Sequence, residues 1–340
     1  MVTRQQMVAT AISCWLATVA AFALHLENSW WAAISAWIIG NIDRSALLQK
    51  GILRIFGTIL GCVIGLQLTG FLIGEAVGQI LVLFLLGFVM NYMKSVGSFG
   101  YAWVVGSVAT LLLVSASIVS TTPLIDVAFY RAAEISCGVL SVFVTDLFLR
   151  YGTSVKTASK SSGKATQPVS QEDRILVSLA GGLSAVCIPV LWLALNLPEL
   201  TQSLVTALIT LDRDFTHTRI RGSLRLLGCV AGGALGLLFV SLGANSFLWW
   251  SLALIFGLAL FARLHLSDSS WAYVGTQGGI AYIMSLITGN GPPNSLAPVT
   301  NRLGGMMFGV LVTFGVLLAL QLCRPALSKM LPRLDSEHIT

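Results

Sequence analysis

The chain is a succession of long apolar runs broken by short clusters of charge, Gly, Pro and Asn. A helix that crosses a hydrocarbon layer about 30 Å thick needs roughly 20 mostly apolar residues, because lipid offers exposed backbone groups no hydrogen bonds. Twelve segments read this way. They are 7–26, 29–42, 51–73, 79–93, 101–119 and 131–149 in the first half, and 175–197, 200–211, 223–242, 247–264, 271–288 and 302–322 in the second. The pattern predicts an all-α, polytopic membrane protein. Segments 29–42 and 200–211 are too short to cross unaided and hold corresponding places in the two halves, an arrangement that points to a substrate site.

The halves are copies of one another. Lys50-Gly51-Ile52-Leu53-Arg54-Ile55-Phe56-Gly57, followed by Gly61 and Gly65, returns 171 residues later as Arg221-Gly222-Ser223-Leu224-Arg225-Leu226-Leu227-Gly228, Gly232 and Gly236. The same offset carries Arg131 onto Arg302 and Gly138 onto Gly309, and an offset of 170 carries Tyr101-Ala102-Trp103-Val104 onto Trp271-Ala272-Tyr273-Val274. Six helices per half is an even number, so the two repeats share one orientation and are parallel. The expected organisation is a membrane repeat over 1–150, a linker over 151–173, a second repeat over 174–325 and a tail over 326–340. The linker is rich in Ser, Thr and Lys and cannot bury a core.

Composition agrees with a membrane protein: 56% hydrophobic residues, 10% charged and a mean hydropathy of +0.85 lie outside the globular range. Basic residues then orient it, since Lys and Arg near helix ends stay on the cytoplasmic side. With both termini inside, all but two of the 20 Lys and Arg face the cytoplasm. The two exceptions, Arg131 and Arg302, are repeat partners. The net charge of +6 follows from this bias and from an anionic inner leaflet, and gives no reason to expect nucleic acid. The first apolar run lacks a convincing cleavage pattern and is expected to remain as the first helix.

Enzyme chemistry is hard to find. No phosphate-cradling Gly-x-x-x-x-Gly-Lys-Ser/Thr loop, His-Glu-x-x-His or Gly-x-Ser-x-Gly occurs, and the chain is expected to use no cofactor and no metal. Six cysteines within or at the ends of helices, without paired spacing, read as small packing residues. The four histidines sit near helix ends or in the tail and read as interfacial.

Polar groups at membrane depth are the remaining candidates. Arg54 and Arg225 each start about one turn inside a Gly-rich helix; snorkelling to the inner surface is the favoured reading, and a bidentate clamp on a carboxylate is the alternative. Arg131 and Arg302 stand at the outer starts of the sixth and twelfth helices, where a leaving anion would meet them. Glu134, one turn from Arg131, reads either as its ion-pair partner or as a proton-coupling carboxylate. Asp146 is a second such carboxylate, with Arg150 four residues on as a simple partner. Among aromatics that could stack on a ring, Tyr101, Trp103, Trp271 and Tyr273 are candidates, whereas Trp30 and Trp31 at a helix start read as interfacial anchors. Trp37 and Gln277 lie deeper and are the better binding candidates.

The run Trp31-Ala32-Ala33-Ile34-Ser35, then Asp43-Arg44, Arg54-x-x-Gly57-Thr58-x-x-Gly61-x-x-x-Gly65 and Arg131-x-x-Glu134-Ile135-x-x-Gly138, resembles the fusaric acid resistance superfamily, which includes bacterial aromatic acid exporters. The likeness is weaker in the second half, where Cys229 stands for Thr58 and Gly305 for Glu134, so any role of those two residues belongs to one half. The resemblance implies export, from the inner membrane and driven by the proton gradient, of aromatic carboxylic acids or related small organic anions. Some members of that superfamily work with a periplasmic adaptor protein, so such a partner is compatible with the resemblance, as is a homo-oligomer. Many relatives carry large cytoplasmic domains that this sequence lacks. Two other readings stay open: an anion channel related to plant malate channels, and a membrane scaffold that transports nothing.

Overall fold

A computed structural model describes residues 3–40, 44–72, 74–96, 99–119, 123–149, 170–197, 199–212, 214–243, 246–289, 291–293 and 295–330. Within them lie twelve helices: α1 (Arg4–Ala23), α2 (Trp30–Ile39), α3 (Arg44–Phe71), α4 (Ala76–Val96), α5 (Gly100–Val119), α6 (Leu124–Leu149), α7 (Gln171–Leu195), α8 (Leu200–Thr210), α9 (Phe215–Ser241), α10 (Phe247–His265), α11 (Ala272–Leu286) and α12 (Ala297–Met330). Nine are long and apolar enough to cross a membrane; α2, α8 and α11 are the shorter three. The all-helical, polytopic membrane fold expected from the sequence is therefore the fold observed. Most of the expected linker, 151–169, and the end of the tail, 331–340, lie outside the described residues.

Polar residues fix several helix starts. The Thr3 side chain accepts from the Gln6 amide while the Gln6 side chain accepts from the Thr3 amide, a reciprocal cap on α1. Ser170, Asp214 and Ser246 cap α7, α9 and α10 by the same side-chain acceptance. The repeat also governs helix ends: His25 and Asn196, 171 residues apart, both take left-handed backbone conformations just past α1 and α7.

Packing repeats in matched pairs. The Gly face of α3 lies on α5 and that of α9 lies on α11; α6 packs on α2 as α12 packs on α8. A β-carbon at Gly232 would run into the Gly278 carbonyl, and one at Gly61 into the Gly106 carbonyl, so these helix pairs meet backbone to backbone. The opposite face of α3 turns outward: Ile52, Phe56, Ile59 and Val63 are exposed, as suits contact with lipid.

The halves are interlaced. The fourth helix of each half packs on the first helix of the other, α4 on α7 and α10 on α1, and α5 reaches α8 as α11 reaches α2. These pairings repeat under exchange of halves.

Four helices begin well before their expected starts. α3, α6, α9 and α12 start at 44, 124, 215 and 297, against expected starts of 51, 131, 223 and 302. The first turns of α3 and α9 are polar yet still helical, while α6 adds the mostly apolar run Leu124 to Tyr130. Arg131 thus lies seven residues inside α6 rather than at its start, and Arg54 and Arg225 each lie ten residues into their helices, about 15 Å along the axis.

Candidate functional site

Both halves line one central cavity of about 430 Å³. Trp30, Trp31, Ile34 and Ile38 come from α2; Arg54 and Thr58 from α3; Lys94 from α4; Tyr101 from α5 and Arg131 from α6. The second half adds Gln202 from α8, Arg221 and Arg225 from α9, and Tyr273 and Gln277 from α11. Five of its described lining residues are cations, and none of the described ones is a carboxylate.

Arg54 and Arg225 are buried, with 6% and 4% of their surface exposed. Neither snorkels. Arg54 Nη1 donates to the Tyr101 hydroxyl at 3.2 Å, and Arg225 Nη1 donates to the Tyr273 hydroxyl at 3.4 Å. Arg225 Nη2 also donates to Thr206 Oγ1 at 3.1 Å, tying the guanidinium to short helix α8. Arg221 sits over the Tyr273 ring, 4.6 Å from its centroid, and pairs with Asp212 at 3.0 Å. Each of Arg54, Arg131, Arg221 and Arg225 retains a buried Nε without a hydrogen-bond partner, and Gln277 Oε1 is likewise unpartnered. Buried donors left this way are costly, so the cavity is suited to an acceptor-rich guest.

The aromatic candidates divide. Tyr101 and Tyr273 enter the cavity, whereas Trp103 and Trp271 are about half exposed and do not line it. The reason lies in register. Gly57 meets Ala102 and Gly106, while Gly228 meets Val274 and Gly278, so α5 and α11 correspond at an offset of 172. The offset of 170 suggested by the similar tetrapeptides is out by two residues, and it obscured the equivalence of the two tyrosines.

Trp37 does not face the cavity. It is fully buried, donates from Nε1 to the Thr276 carbonyl at 3.0 Å and stacks on His265 at 4.6 Å between ring centroids. His265, the last residue of α10, is half-buried there, with its Nε2 3.1 Å from the Trp37 carbonyl. Its repeat partner Lys94 donates Nζ to the Leu211 carbonyl, so each short helix has a carbonyl at its C-terminal end held by the end of the other half's fourth helix.

Trp30 and Trp31, expected as surface anchors, are buried. Their rings lie 4.4 Å apart, with Arg131 4.0 Å from the Trp31 centroid and Arg302 5.1 Å from that of Trp30. An arginine from each half thus flanks the tryptophan pair, which fits a shared direction of α6 and α12. The two arginines then diverge. Arg131 lines the cavity, whereas Arg302 is turned away and donates Nη1 to the carbonyls of Met284 and Ile287 at 3.1 and 3.0 Å, closing the end of α11.

Glu134 is 1% exposed and lies outside the cavity lining. One carboxylate oxygen accepts from the Asn28 amide at 2.7 Å and the other stands 3.5 Å from Arg131 Nη1. Asp146 also stays away from the cavity, beside a small hollow shared with Thr10, Ser13 and Gly40; Arg150 is outside the described residues. Among the described residues no cluster of His, Cys, Asp and Glu could hold a metal ion.

This is a polytopic helical membrane protein with a cation-lined cavity between its two repeats. Residues 16–145 and 174–316 match the family described as fusaric acid resistance protein-like, and the chain belongs to that family. It is also similar to the p-hydroxybenzoic acid efflux pump subunit AaeB of Enterobacter cloacae, at 28% identity over 145 residues. That match covers 39% of this chain and 22% of the relative. No solved structure matches the chain.

Proposed function

We propose that the protein is a secondary active exporter of small organic anions, aromatic carboxylic acids in particular, in a bacterial inner membrane. The observation that carries this reading is the central cavity, where arginines with unpartnered nitrogens from both repeats share a largely apolar wall with Trp30, Trp31, Tyr101 and Tyr273. Guanidinium groups recognise a carboxylate and aromatic walls accept a ring. The volume falls within the range of small-molecule sites. A relative that is an aromatic acid efflux pump subunit supports the same substrate class.

In this reading Arg54 and Arg225 engage the carboxylate, Gln277 supplies a neutral hydrogen-bonding group, and Arg131 receives the anion toward the outer face. A proton gradient drives the anion in two parts. Its electrical part acts on the charge directly, at about 2.3 kcal/mol per 100 mV. Its pH part needs a titrating group, and Glu134, between the Asn28 amide and Arg131, takes that role. Purified protein in liposomes, loaded with a panel of aromatic and aliphatic acids, tests the assignment: flux should favour aromatic monocarboxylates and accumulate them uphill when a pH gradient is imposed. Flux confined to inorganic anions would overturn it.

The same cavity suits an anion pore, because its described lining holds cations and no carboxylate. Reversal potentials set by the anion gradient alone, with no proton movement, would establish the channel.

A further inference from the structure

Position 134 on α6 and position 305 on α12 are repeat equivalents, and only the first carries an acid. The neighbour of Glu134 at the start of α2 is Asn28; 171 residues on, the same place before α8 is Glu199. A carboxylate and an uncharged residue have therefore changed places between the repeats.

Geometry supports the exchange. A β-carbon at Gly305 would stand 3.1 Å from the β-carbon of Glu199, so the Glu199 side chain begins beside the spot from which a 305 side chain would begin. Arg302 lies three residues before Gly305 on the same helix face, as Arg131 lies three before Glu134. Arg302 is the charged group acting on Glu199; Arg131 and Glu27 are those acting on Glu134. Burial raises the Glu199 carboxyl above the usual range, and Arg302 draws it down. The Glu199 backbone is held at a φ of 60°, a left-handed conformation that side-chain-bearing residues seldom adopt and that tends to persist where a function requires it.

We infer that Glu199 is the second repeat's counterpart of Glu134, so that each half places one carboxylate within the electrostatic reach of its buried arginine and transport answers to two titrating acids. This rests on the coupling role proposed for Glu134, and the two can fail separately. In liposomes containing the full chain, uphill accumulation of radiolabelled p-hydroxybenzoate is measured against pH on the outward side, with folded protein quantified by size exclusion. Wild type should follow pH with the slope of two groups, Glu134→Gln and Glu199→Gln each with the slope of one, and the double variant with none. The paired change Asn28→Glu with Glu134→Gly, which copies the second-half arrangement into the first and removes rather than adds bulk at 134, should restore the second slope.

Glu199→Gln at wild-type slope, beside a halved slope for Glu134→Gln, overturns this inference and leaves coupling through Glu134 standing. Wild-type slopes in both single variants overturn both. Failure of the paired change to improve on Glu134→Gly overturns the positional equivalence. Should a Gln variant fold poorly, Glu199→Asp, which keeps the charge, must retain the two-group slope.

Discussion

Tyr273 accepts a hydrogen bond from Arg225 at 3.4 Å, and the same contact joins Arg54 to Tyr101 at 3.2 Å in the other repeat. In each pair a phenol steadies a buried guanidinium whose Nε remains unpartnered. The pairs form one duplicated element of the cavity wall. Arg54→Lys and Arg225→Lys should each keep the charge but lose the planar fork, and raise the concentration for half-maximal anion flux by about 10-fold, as expected for about 1.4 kcal/mol. The double variant should lose more than either. Concentration series in liposomes check this, and unchanged half-saturation in both single variants would remove these residues from the site.

Arg131 and Arg302 should part company on mutation. Arg131→Gln removes a cavity cation and should depress flux in well-folded protein. Arg302→Gln removes the donor to two carbonyls at the end of α11 and should lower stability by roughly 1.5–3 kcal/mol, the scale of a hydrogen bond from a charged group. Thermal melting in detergent alongside flux separates the two outcomes. Equal melting losses would show that both arginines are structural.

Gly232 on α9 should be intolerant of bulk. Its added side chain meets the Gly278 carbonyl, a backbone group that yields only if α9 and α11 separate. Gly232→Val should cost about 1–3 kcal/mol by overpacking, whereas Gly304→Ala, with open space at its β-carbon, should be close to neutral. Paired melting curves test the contrast.

Orientation can be read by labelling single cysteines in a cysteine-free background. A membrane-impermeant reagent applied outside should label Glu75→Cys and spare Ser161→Cys, which lies in the linker outside the described residues. Outside-only labelling at 161 would invert the topology.

Helix number, the two short helices and the duplication are all visible in the pattern of apolar runs, because burial in lipid leaves a strong compositional mark. Helix starts are not, since Arg44 and the His217 to Arg221 stretch belong to helices despite their polarity. The cavity was only partly legible. Arg54, Tyr101, Arg131, Arg225, Tyr273 and Gln277 reach it, but Trp37, Trp103, Trp271, Arg302, Glu134 and Asp146 do not. Hydropathy marks depth but carries no information about which way a side chain turns around its helix. Trp30 and Trp31 were obscured because an aromatic pair at a helix start looks alike whether it meets headgroups or arginines. Glu199 did leave a signal: an acid absent at 305 and present at the repeat equivalent of Asn28.

The crossed placement of α4 on α7 and α10 on α1 constrains both assembly and motion. During synthesis α1 must wait in the bilayer for α10, which emerges more than 200 residues later, so neither repeat can mature alone. A half expressed by itself would have to borrow the missing helix from a second molecule, and two separately expressed halves should recombine. The same crossing opposes a simple rocking of one half against the other, because each clasps a helix of its neighbour.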